Sequence, residues 1–196
     1  MKIRQPFVIV LSGPSGVGKT SLCQKVLKRD KQLKYSVSVT SRSRRKGEVN
    51  GRDYYFLTVT NFQKKIKANE LLEWAIVYSH YYGTPRQPVE EGLNAGYDVI
   101  MDLDVKGGTT MMKCYPKGVF IFVMPSSLSV LKERLVKRGT DTEKAIKERL
   151  SIAQKEMTFL KHYDYVVINK NIEETVKNIC GIIRAERCRV FRWKLE

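Results

Sequence analysis

A glycine-rich segment near the start of the sequence has the residue types and the spacing that bind phosphate groups. It occupies residues 13–20 and matches the pattern GxxxxGK followed by Ser or Thr, with a predicted strand before it and a predicted helix after it. Glycines let the backbone wrap closely around an anion, and successive N–H groups at a helix N-terminus then face the phosphates. A chance glycine-rich turn is the alternative, which the flanking elements disfavour.

Two side chains of this segment can act on a bound nucleotide directly. The Lys19 ammonium would contact the β- and γ-phosphates of ATP, and the Thr20 hydroxyl would ligate Mg²⁺. The residues of the segment predicted to bind ATP are Gly13, Pro14, Ser15, Gly16, Val17, Gly18, Lys19 and Thr20. GTPases, ATPases and many kinases share such a loop, so the rest of the chain has to identify the reaction.

A second group of polar residues lies in a turn-rich region and suits a phosphorylated acceptor. Arg42 and Arg45 are three residues apart, so their guanidinium groups can converge on one phosphate. The hydroxyls of Tyr54 and Tyr82 can donate to the same phosphate. The Glu73 carboxylate suits a base with two adjacent donors, as guanine has in N1–H and its exocyclic amine. Each residue alone also has an ordinary structural interpretation.

These motifs occur together in one order, and in that order the sequence resembles guanylate kinases over nearly its whole length. The motifs that carry the resemblance are the phosphate loop, the pattern SxTxRxxRxGExNGxDY at 38–54, Glu73-Trp74, Tyr81-Tyr82-Gly83-Thr84, the segment 102–107, Arg138-Gly139-Thr140 and the segment 147–150. The resemblance implies direct in-line transfer of the γ-phosphoryl group of ATP to GMP with Mg²⁺, giving ADP and GDP in purine nucleotide metabolism and GMP recycling.

The resemblance also implies roles for individual residues. Those that would bind GMP are Ser38, Arg42, Arg45, Tyr54, Glu73, Tyr82, Thr84, Asp102 and Asp104. Those that would act on the transferring phosphoryl group are Lys19, Arg42, Arg138 and Arg149. Arg134 and Asn169 would contact the ribose or adenine of ATP, and Thr20 and Asp102 would hold Mg²⁺. Arg44 stands where the family commonly has proline, so the pair of arginines that grips the GMP phosphate stays open.

The elements that would position these residues alternate between short apolar runs and amphipathic segments. The predicted strands are 7–11, 99–103, 119–123 and 165–168, and the predicted helices are 20–28, 88–95, 128–137, 143–160 and 172–187. A capping box at Thr140–Glu143 and an N-cap at Asn171 would open the last two helices. This alternation predicts a three-layer α/β fold with a parallel central sheet, the P-loop NTPase fold.

Two regions depart from the alternation and predict additions to this core. A turn-rich region contains strand-like runs at 36–40, 54–57 and 72–78, with a hairpin-type turn at Asn50-Gly51, and predicts a small β-rich GMP-binding insertion. A charged stretch around 132–155 predicts a helical lid. The predicted division is 1–35 core with the phosphate loop, 36–97 GMP-binding region, 98–125 core, 126–160 lid and 161–196 core, in one globular unit.

Composition restricts the remaining functions. The net charge of +16 raises nucleic-acid binding as a rival, but basic residues are spread along the chain and no RNP, zinc-finger or basic-zipper motif occurs, so no nucleic-acid partner is expected. No run of about 18 apolar residues occurs, so we expect no membrane partner and a cytoplasmic location, with the four cysteines reduced. No obligate protein partner is inferred. Two alternatives stay open: a kinase for another nucleoside monophosphate, and a non-catalytic module that binds phosphorylated proteins.

Overall fold

The computed structural model describes residues 2–77, 79–137 and 142–195, and the side chains of 4–77, 79–137 and 142–194. The strands are β1 (Lys2–Arg4), β2 (Val8–Ser12), β3 (Leu33–Tyr35), β4 (Val39–Thr40), β5 (Tyr55–Phe56), β6 (Leu71–Val77), β7 (His80–Pro85), β8 (Asp98–Asp102), β9 (Val119–Pro125), β10 (Tyr165–Asn169) and β11 (Trp193–Leu195). The α-helices are α1 (Lys19–Arg29), α2 (Val59–Lys67), α3 (Arg86–Asn94), α4 (Val105–Cys114), α5 (Leu128–Lys137), α6 (Glu143–Met157) and α7 (Ile172–Arg187). Short 3-10 helices cover Thr158–His162 and Val190–Arg192.

The main sheet has five parallel strands in the order β10-β9-β2-β8-β3. Its apolar side chains alternate between the two faces, because successive residues of a strand point in opposite directions. Ile9 and Leu11 pack with the helices α1 and α7 on one face, whereas Val8 and Val10 pack with α3 and α4 on the other. The sheet is therefore buried on both faces, which confirms the predicted three-layer α/β fold.

A smaller sheet of four strands, in the order β5-β4-β7-β6, stands beside the main one. Its own cluster of buried side chains, which includes Val39, Phe62 and Leu71, lies between the sheet and α2. The region is β-rich as predicted, but the hairpin predicted at Asn50-Gly51 is wrong. Strands β4 and β5 pair in parallel, and Gly51, at a φ of 80°, closes a local loop by donating from its N–H to the Tyr54 carbonyl over 2.9 Å.

Helices α2 and α4 had no counterpart in the predicted elements. The sequence of α4 contains Gly107 and Gly108, which lower helix propensity, so tertiary contacts rather than propensity form this helix. The Asp104 carboxylate caps it by accepting from the Gly107 N–H over 2.7 Å, and Met111 is buried against the sheet.

The predicted boundaries of α6 and α7 agree with the structure except at the C-terminal end of α6. Helix α6 ends at Met157 instead of residue 160, and a 3-10 turn follows it. Thr142 caps α6 by accepting from the Ala145 N–H over 3.3 Å, while the predicted capping box begins at 140, outside the described residues. The predicted Asn171 cap of α7 is confirmed, because its side chain accepts from Glu173 and Glu174.

The basic C-terminal segment is in part internal to the fold. The Arg187 guanidinium donates to Asp98 over 2.8 Å and to Asp30 over 2.7 Å, and Asp98, which is fully buried, also accepts from Arg4. Arg192 is buried too and donates to the Glu186 carboxylate over 2.8 Å. These arginines connect the C-terminal segment to the start of the chain, where β1 pairs with β11, rather than forming a solvated helix end.

Two further expectations concern the whole chain. The four cysteines are free, as predicted. Within the part of the chain that the structure describes, every helix is too short or too polar to cross a membrane.

The arginine network makes a prediction about stability. Arg187→Ala should lower the free energy of unfolding by about 1.5–3 kcal/mol, because the buried Asp98 carboxylate loses a charged hydrogen bond and keeps only Arg4 and the Phe7 N–H, while Asp30 loses its ion pair. Arg184→Ala, an exposed arginine of the same helix, should change it by less than about 0.5 kcal/mol. Urea denaturation of both variants measures the difference, and equal midpoints would show that the network does not stabilise the fold.

Candidate active site

A cleft of about 570 Å³ opens between the carboxyl ends of the main-sheet strands, the small sheet and α6. In open α/β sheets this end of the strands is where ligands bind. The residues predicted for the site that line the cleft are Gly13, Ser15, Gly16, Gly18, Lys19, Thr20, Ser38, Arg42, Arg45, Tyr54, Glu73, Tyr82, Asp102, Asp104 and Arg149. Side chains that are far apart in the sequence thus share one cavity.

The glycine-rich loop between β2 and α1 has the conformation that phosphate binding requires. Gly13 has a φ of 136°, and a Cβ there would lie 2.3 Å from the Val123 carbonyl oxygen, so no other residue fits. Helix α1 begins at Lys19, so its N-terminal N–H groups face the cleft. The Lys19 ammonium donates to the carbonyls of Gly13 and Pro14, over 2.6 and 3.1 Å, and therefore stands at the mouth of the loop.

Beside the loop, Asp102 at the end of β8 holds two hydroxyl groups. Thr20 donates to its Oδ2 over 2.6 Å, and Tyr35 donates to its Oδ1 over 2.5 Å. Burial raises the pKa of Asp102, while the two hydroxyls and the nearby Lys19 charge act in the opposite direction. Tyr35 was not among the predicted site residues, because only the pairing of β3 with β8 brings it next to Asp102.

Thr20 and Asp102 have the oxygen groups that a Mg²⁺ site requires. Mg²⁺ is bound in nucleotide sites by one or two protein oxygens together with phosphate oxygens and water. The Thr20 hydroxyl and the Asp102 carboxylate supply two such oxygens at the phosphate end of the cleft. Among the described residues no group of three or more His, Cys, Asp or Glu could hold a metal by itself. The pair therefore fits an ion that arrives with a nucleotide.

The two predicted phosphate-binding arginines are joined by a third residue. Arg42 is buried and donates to both oxygens of Glu48, over 3.0 and 2.8 Å, while Glu48 also accepts from the backbone N–H of Arg45 over 2.7 Å. Burial alone would raise the pKa of Glu48, but these hydrogen bonds outweigh it and hold the pKa below its usual value. Arg44 is exposed, and it does not line the cleft as Arg42 and Arg45 do.

Glu48 was not predicted to belong to the site, although it lies inside the arginine motif. Its carboxylate holds Arg42 in one orientation in the absence of substrate. Two parallel hydrogen bonds restrict a guanidinium group more than a single hydrogen bond would. Tyr54 stacks against the same guanidinium at 5.4 Å and lies 6.0 Å from the ring of Tyr82. Burial raises the pKa of Tyr54, so its hydroxyl stays protonated and able to donate.

Glu73 lies on the inner side of β6, where it is only 6% exposed. The Thr84 hydroxyl donates to its Oε1 over 2.6 Å, and a Cβ at Gly107 would come within 2.7 Å of its Oε2. The glycine in α4 therefore leaves room for this carboxylate. The pKa of Glu73 is raised to about 7, mainly by burial; the Thr84 hydrogen bond acts in the opposite direction, and the charge of Asp104 adds to the effect of burial.

The described residues that were predicted for the site but do not line the cleft are Pro14, Val17, Thr84, Arg134 and Asn169. Arg134 donates to the carbonyls of Val17 and Asn169, over 3.0 and 2.9 Å, and the Asn169 amide also donates to the Val17 carbonyl over 2.7 Å. Both side chains thus support the back of the phosphate loop and neither lines the cleft. Arg138 lies outside the described residues. On the predicted lid, Arg149 lines the cleft from α6.

Comparison with known proteins identifies close relatives along the whole chain. The family model described as guanylate kinase matches residues 5–186. The chain is 46% identical over 185 residues to a guanylate kinase of Carboxydothermus hydrogenoformans, which covers 94% of this chain and 91% of the relative. A guanylate kinase of Desulfitobacterium hafniense is 45% identical over 192 residues, covering 98% of this chain and 96% of the relative. The crystal structure of guanylate kinase from Anaplasma phagocytophilum superimposes with a TM-score of 0.84 at 34% identity, over 98% of this chain and 92% of that chain.

The environment of Glu73 makes a prediction about pH. Its carboxyl should titrate near pH 7 in the ligand-free protein, and Thr84→Val should move the midpoint higher by removing a hydrogen bond to the charged form. A glutamate in the unfolded chain has a pKa of about 4.3. Between this pH and pH 7 the folded protein therefore keeps a proton that the unfolded chain has lost. The free energy of unfolding should consequently fall as the pH rises through this range.

Carboxyl carbon NMR of the wild type and of Thr84→Val measures both midpoints directly. The pH dependence of urea unfolding in Glu73→Gln, which should lack this part of the slope, is the control. A Glu73 midpoint near 4.5 would contradict the interpretation of this pocket.

Proposed function

The chain belongs to the guanylate kinase family and transfers the γ-phosphoryl group of ATP to GMP, and on this premise we propose how its residues carry out the transfer. The observation that supports the proposal is that Lys19 of the phosphate loop and Glu73 of the small sheet line the same cleft, and that Arg42 and Arg45 line it too. A donor and an acceptor held in this cavity can react without leaving the enzyme.

The donor side is the phosphate loop. The N–H groups at the start of α1 hold the β- and γ-phosphates of ATP, and the Lys19 ammonium turns from the loop carbonyls to the phosphate oxygens. Thr20 and Asp102 would hold Mg²⁺, which neutralises developing phosphate charge when bound. Arg134 and Asn169 support the loop from behind, at the side where the ribose and adenine of ATP are expected.

The acceptor side is the small sheet and the loop between β4 and β5. Arg42 and Arg45 bind the phosphate of GMP, and the hydroxyls of Tyr54 and Tyr82 donate to it. Because Glu48 already holds Arg42 in place, little side-chain entropy is lost when the phosphate binds. The loop therefore presents an ordered site to an anion.

The base of GMP is recognised by Glu73 and its neighbours. Guanine N1–H and the exocyclic amine both donate to the Glu73 carboxylate, with Ser38, Thr84 and Asp104 completing the pocket. These donors favour the ionised carboxylate, so GMP binding lowers the pKa of Glu73 and releases a proton below about pH 7. Adenine presents an acceptor at N1 in the same place, which the carboxylate repels.

The transfer itself is direct, from ATP to an oxygen of the GMP phosphate. That phosphate is already acidic, so no strong general base is needed, and catalysis consists of positioning and charge stabilisation. Lys19, Arg42, Arg149 and Arg138 supply positive charge around the transferring group. The lid carries the last two arginines, and its closure excludes water that would otherwise hydrolyse ATP.

We propose that the chain consists of three functional regions, with the bounds predicted from the sequence. Residues 1–35, 98–125 and 161–196 form the core, 36–97 the GMP-binding region and 126–160 the lid. A cytoplasmic location and the lack of a nucleic-acid or obligate protein partner stay predictions of the sequence. The positive excess helps to steer two anionic substrates to the cleft.

The base-recognition pocket gives the test of this assignment. Wild type should prefer GMP over AMP by at least about 10³ in kcat/KM, since a buried polar site rejects a base that leaves its groups unpaired. Glu73→Gln replaces one acceptor with a donor. It should therefore lower kcat/KM for GMP and reduce the ratio of kcat/KM for GMP to that for AMP. Steady-state rates with both acceptors measure this, and Glu70→Gln, an exposed glutamate that pairs with Lys65, is the matched control. An unchanged ratio in Glu73→Gln would mean that this carboxylate does not read the base.

A further inference from the structure

The Asp102 carboxylate uses both of its oxygens in contacts within the protein. Thr20 donates to Oδ2 over 2.6 Å, and Tyr35 donates to Oδ1 over 2.5 Å. Thr20 and Asp102 line the cleft, whereas Tyr35 does not. The proposed function gives a role to the first two residues and none to the tyrosine. Its hydroxyl would therefore act on the site through the carboxylate that it contacts.

The main sheet sets the position of Tyr35 relative to Asp102. Tyr35 of β3 lies opposite Ile100 of β8, and the Ser36 N–H donates to the Ile100 carbonyl over 3.0 Å. Asp102 is two residues further along β8, so its side chain is on the same face of the sheet as Ile100. The tyrosine ring packs against the core cluster that contains Ile100, and its hydroxyl reaches the carboxylate. Strand pairing, rather than a loop, thus places this donor.

The contact between Thr20 and Asp102 determines which oxygen lone pairs face a ligand. A hydroxyl that donates its only proton to a carboxylate keeps its lone pairs for other contacts. Thr20 directs its proton to Asp102, which leaves its lone pairs for a ligand in the cleft. Each carboxylate oxygen has two acceptor sites, so Asp102 also keeps one at each oxygen. The arrangement of these oxygens depends on the orientation of the carboxylate.

Thr20 alone does not fix that orientation. The terminal torsion of an aspartate is broad, so a carboxylate held through one oxygen can turn. A second donor on the other oxygen restricts this rotation. Tyr35 supplies it from a strand, whereas Thr20 lies in the first turn of α1, directly after the phosphate loop. The tyrosine is thus the donor that is independent of the loop.

We propose that Tyr35 is a positioning residue of the Mg²⁺ site: its hydroxyl holds the Asp102 carboxylate in the orientation that accepts from Thr20 and leaves oxygens of both residues for the metal. The inference rests on the role proposed above for Thr20 and Asp102. Loss of a group that hydrogen-bonds to a metal ligand typically lowers metal affinity or activity by about 10- to 100-fold. Tyr35→Phe keeps the ring in the core and removes only the hydroxyl.

Calorimetric titration with a non-hydrolysable ATP analogue, in which NH replaces the oxygen between the β- and γ-phosphates, tests this without catalysis. Each protein is titrated once with excess Mg²⁺ and once with EDTA. Tyr35→Phe should raise the Kd measured with Mg²⁺ by about 10-fold. It should change the Kd measured in EDTA by less than about 2-fold, because backbone N–H groups and Lys19 then bind the phosphates without the metal.

Two further variants serve as controls. Tyr165 is also half-buried and donates from its hydroxyl to a carboxylate, that of Glu186, over 2.6 Å. It lies at the start of β10, at the opposite end of the sheet from the cleft, so Tyr165→Phe should change neither Kd by more than about 2-fold. In the Asp102→Asn background, Tyr35→Phe should raise the Kd with Mg²⁺ by less than about 2-fold, because the carboxylate that it positions is absent.

The outcomes distinguish this inference from the proposed Mg²⁺ site itself. If wild type binds the analogue equally well with Mg²⁺ and with EDTA, the proposed site is wrong, and the inference fails with it. If binding depends on Mg²⁺ in wild type and to the same extent in Tyr35→Phe, only the inference is overturned. Equal increases in both Kd values would overturn it too, because Tyr35 would then support the phosphate loop as a whole. An undiminished effect in the Asp102→Asn background would show that Tyr35 does not act through Asp102.

Discussion

Mutual repulsion between two phosphorylated nucleotides is the constraint on which this structure depends. ATP and GMP each carry several negative charges, and the reacting oxygen and phosphorus must approach within van der Waals distance. We propose that the protein meets this constraint with cations and backbone N–H groups held on separate elements that line one cleft: the phosphate loop after β2, the loop between β4 and β5, and α6. The parallel main sheet matters because it brings the ends of its strands, and with them the loop and Asp102, to one edge.

The cations of the site have internal partners before any substrate binds. Lys19 donates hydrogen bonds to two carbonyls of its own loop, and Arg42 donates hydrogen bonds to the Glu48 carboxylate. These partners keep the positive groups in place without the cost of an unpaired buried charge. Substrate phosphates then add to or replace contacts that already exist, which is the arrangement expected of a preorganised electrostatic site. We propose that Glu73 works in the opposite sense: burial raises its pKa and favours the neutral form, and the donors of guanine would favour the charged form.

The sequence predicted the features that local pattern determines and missed those that depend on distant partners. The phosphate loop, four main-sheet strands and α7 with its Asn171 cap followed from spacing and apolar runs. Helix α4 escaped prediction because its two glycines lower local propensity, although Gly107 is needed beside Glu73. Two roles could not be predicted from local pattern: the contact of Tyr35 with Asp102, 67 residues away, and the ion pairs of the half-buried Arg187. Both depend on the sheet order and on the position of the chain termini.

Stereochemistry at phosphorus tests the central claim, that one cleft holds both nucleotides and passes the phosphoryl group between them in a single in-line step. The measurement uses ATP with a γ-thiophosphoryl group made chiral by oxygen isotopes, and determines the configuration of that group after transfer to GMP. A single displacement inverts the configuration, and inversion is the expected result. Retention would require two displacements through a covalent intermediate on the enzyme, and would contradict direct transfer within the cleft.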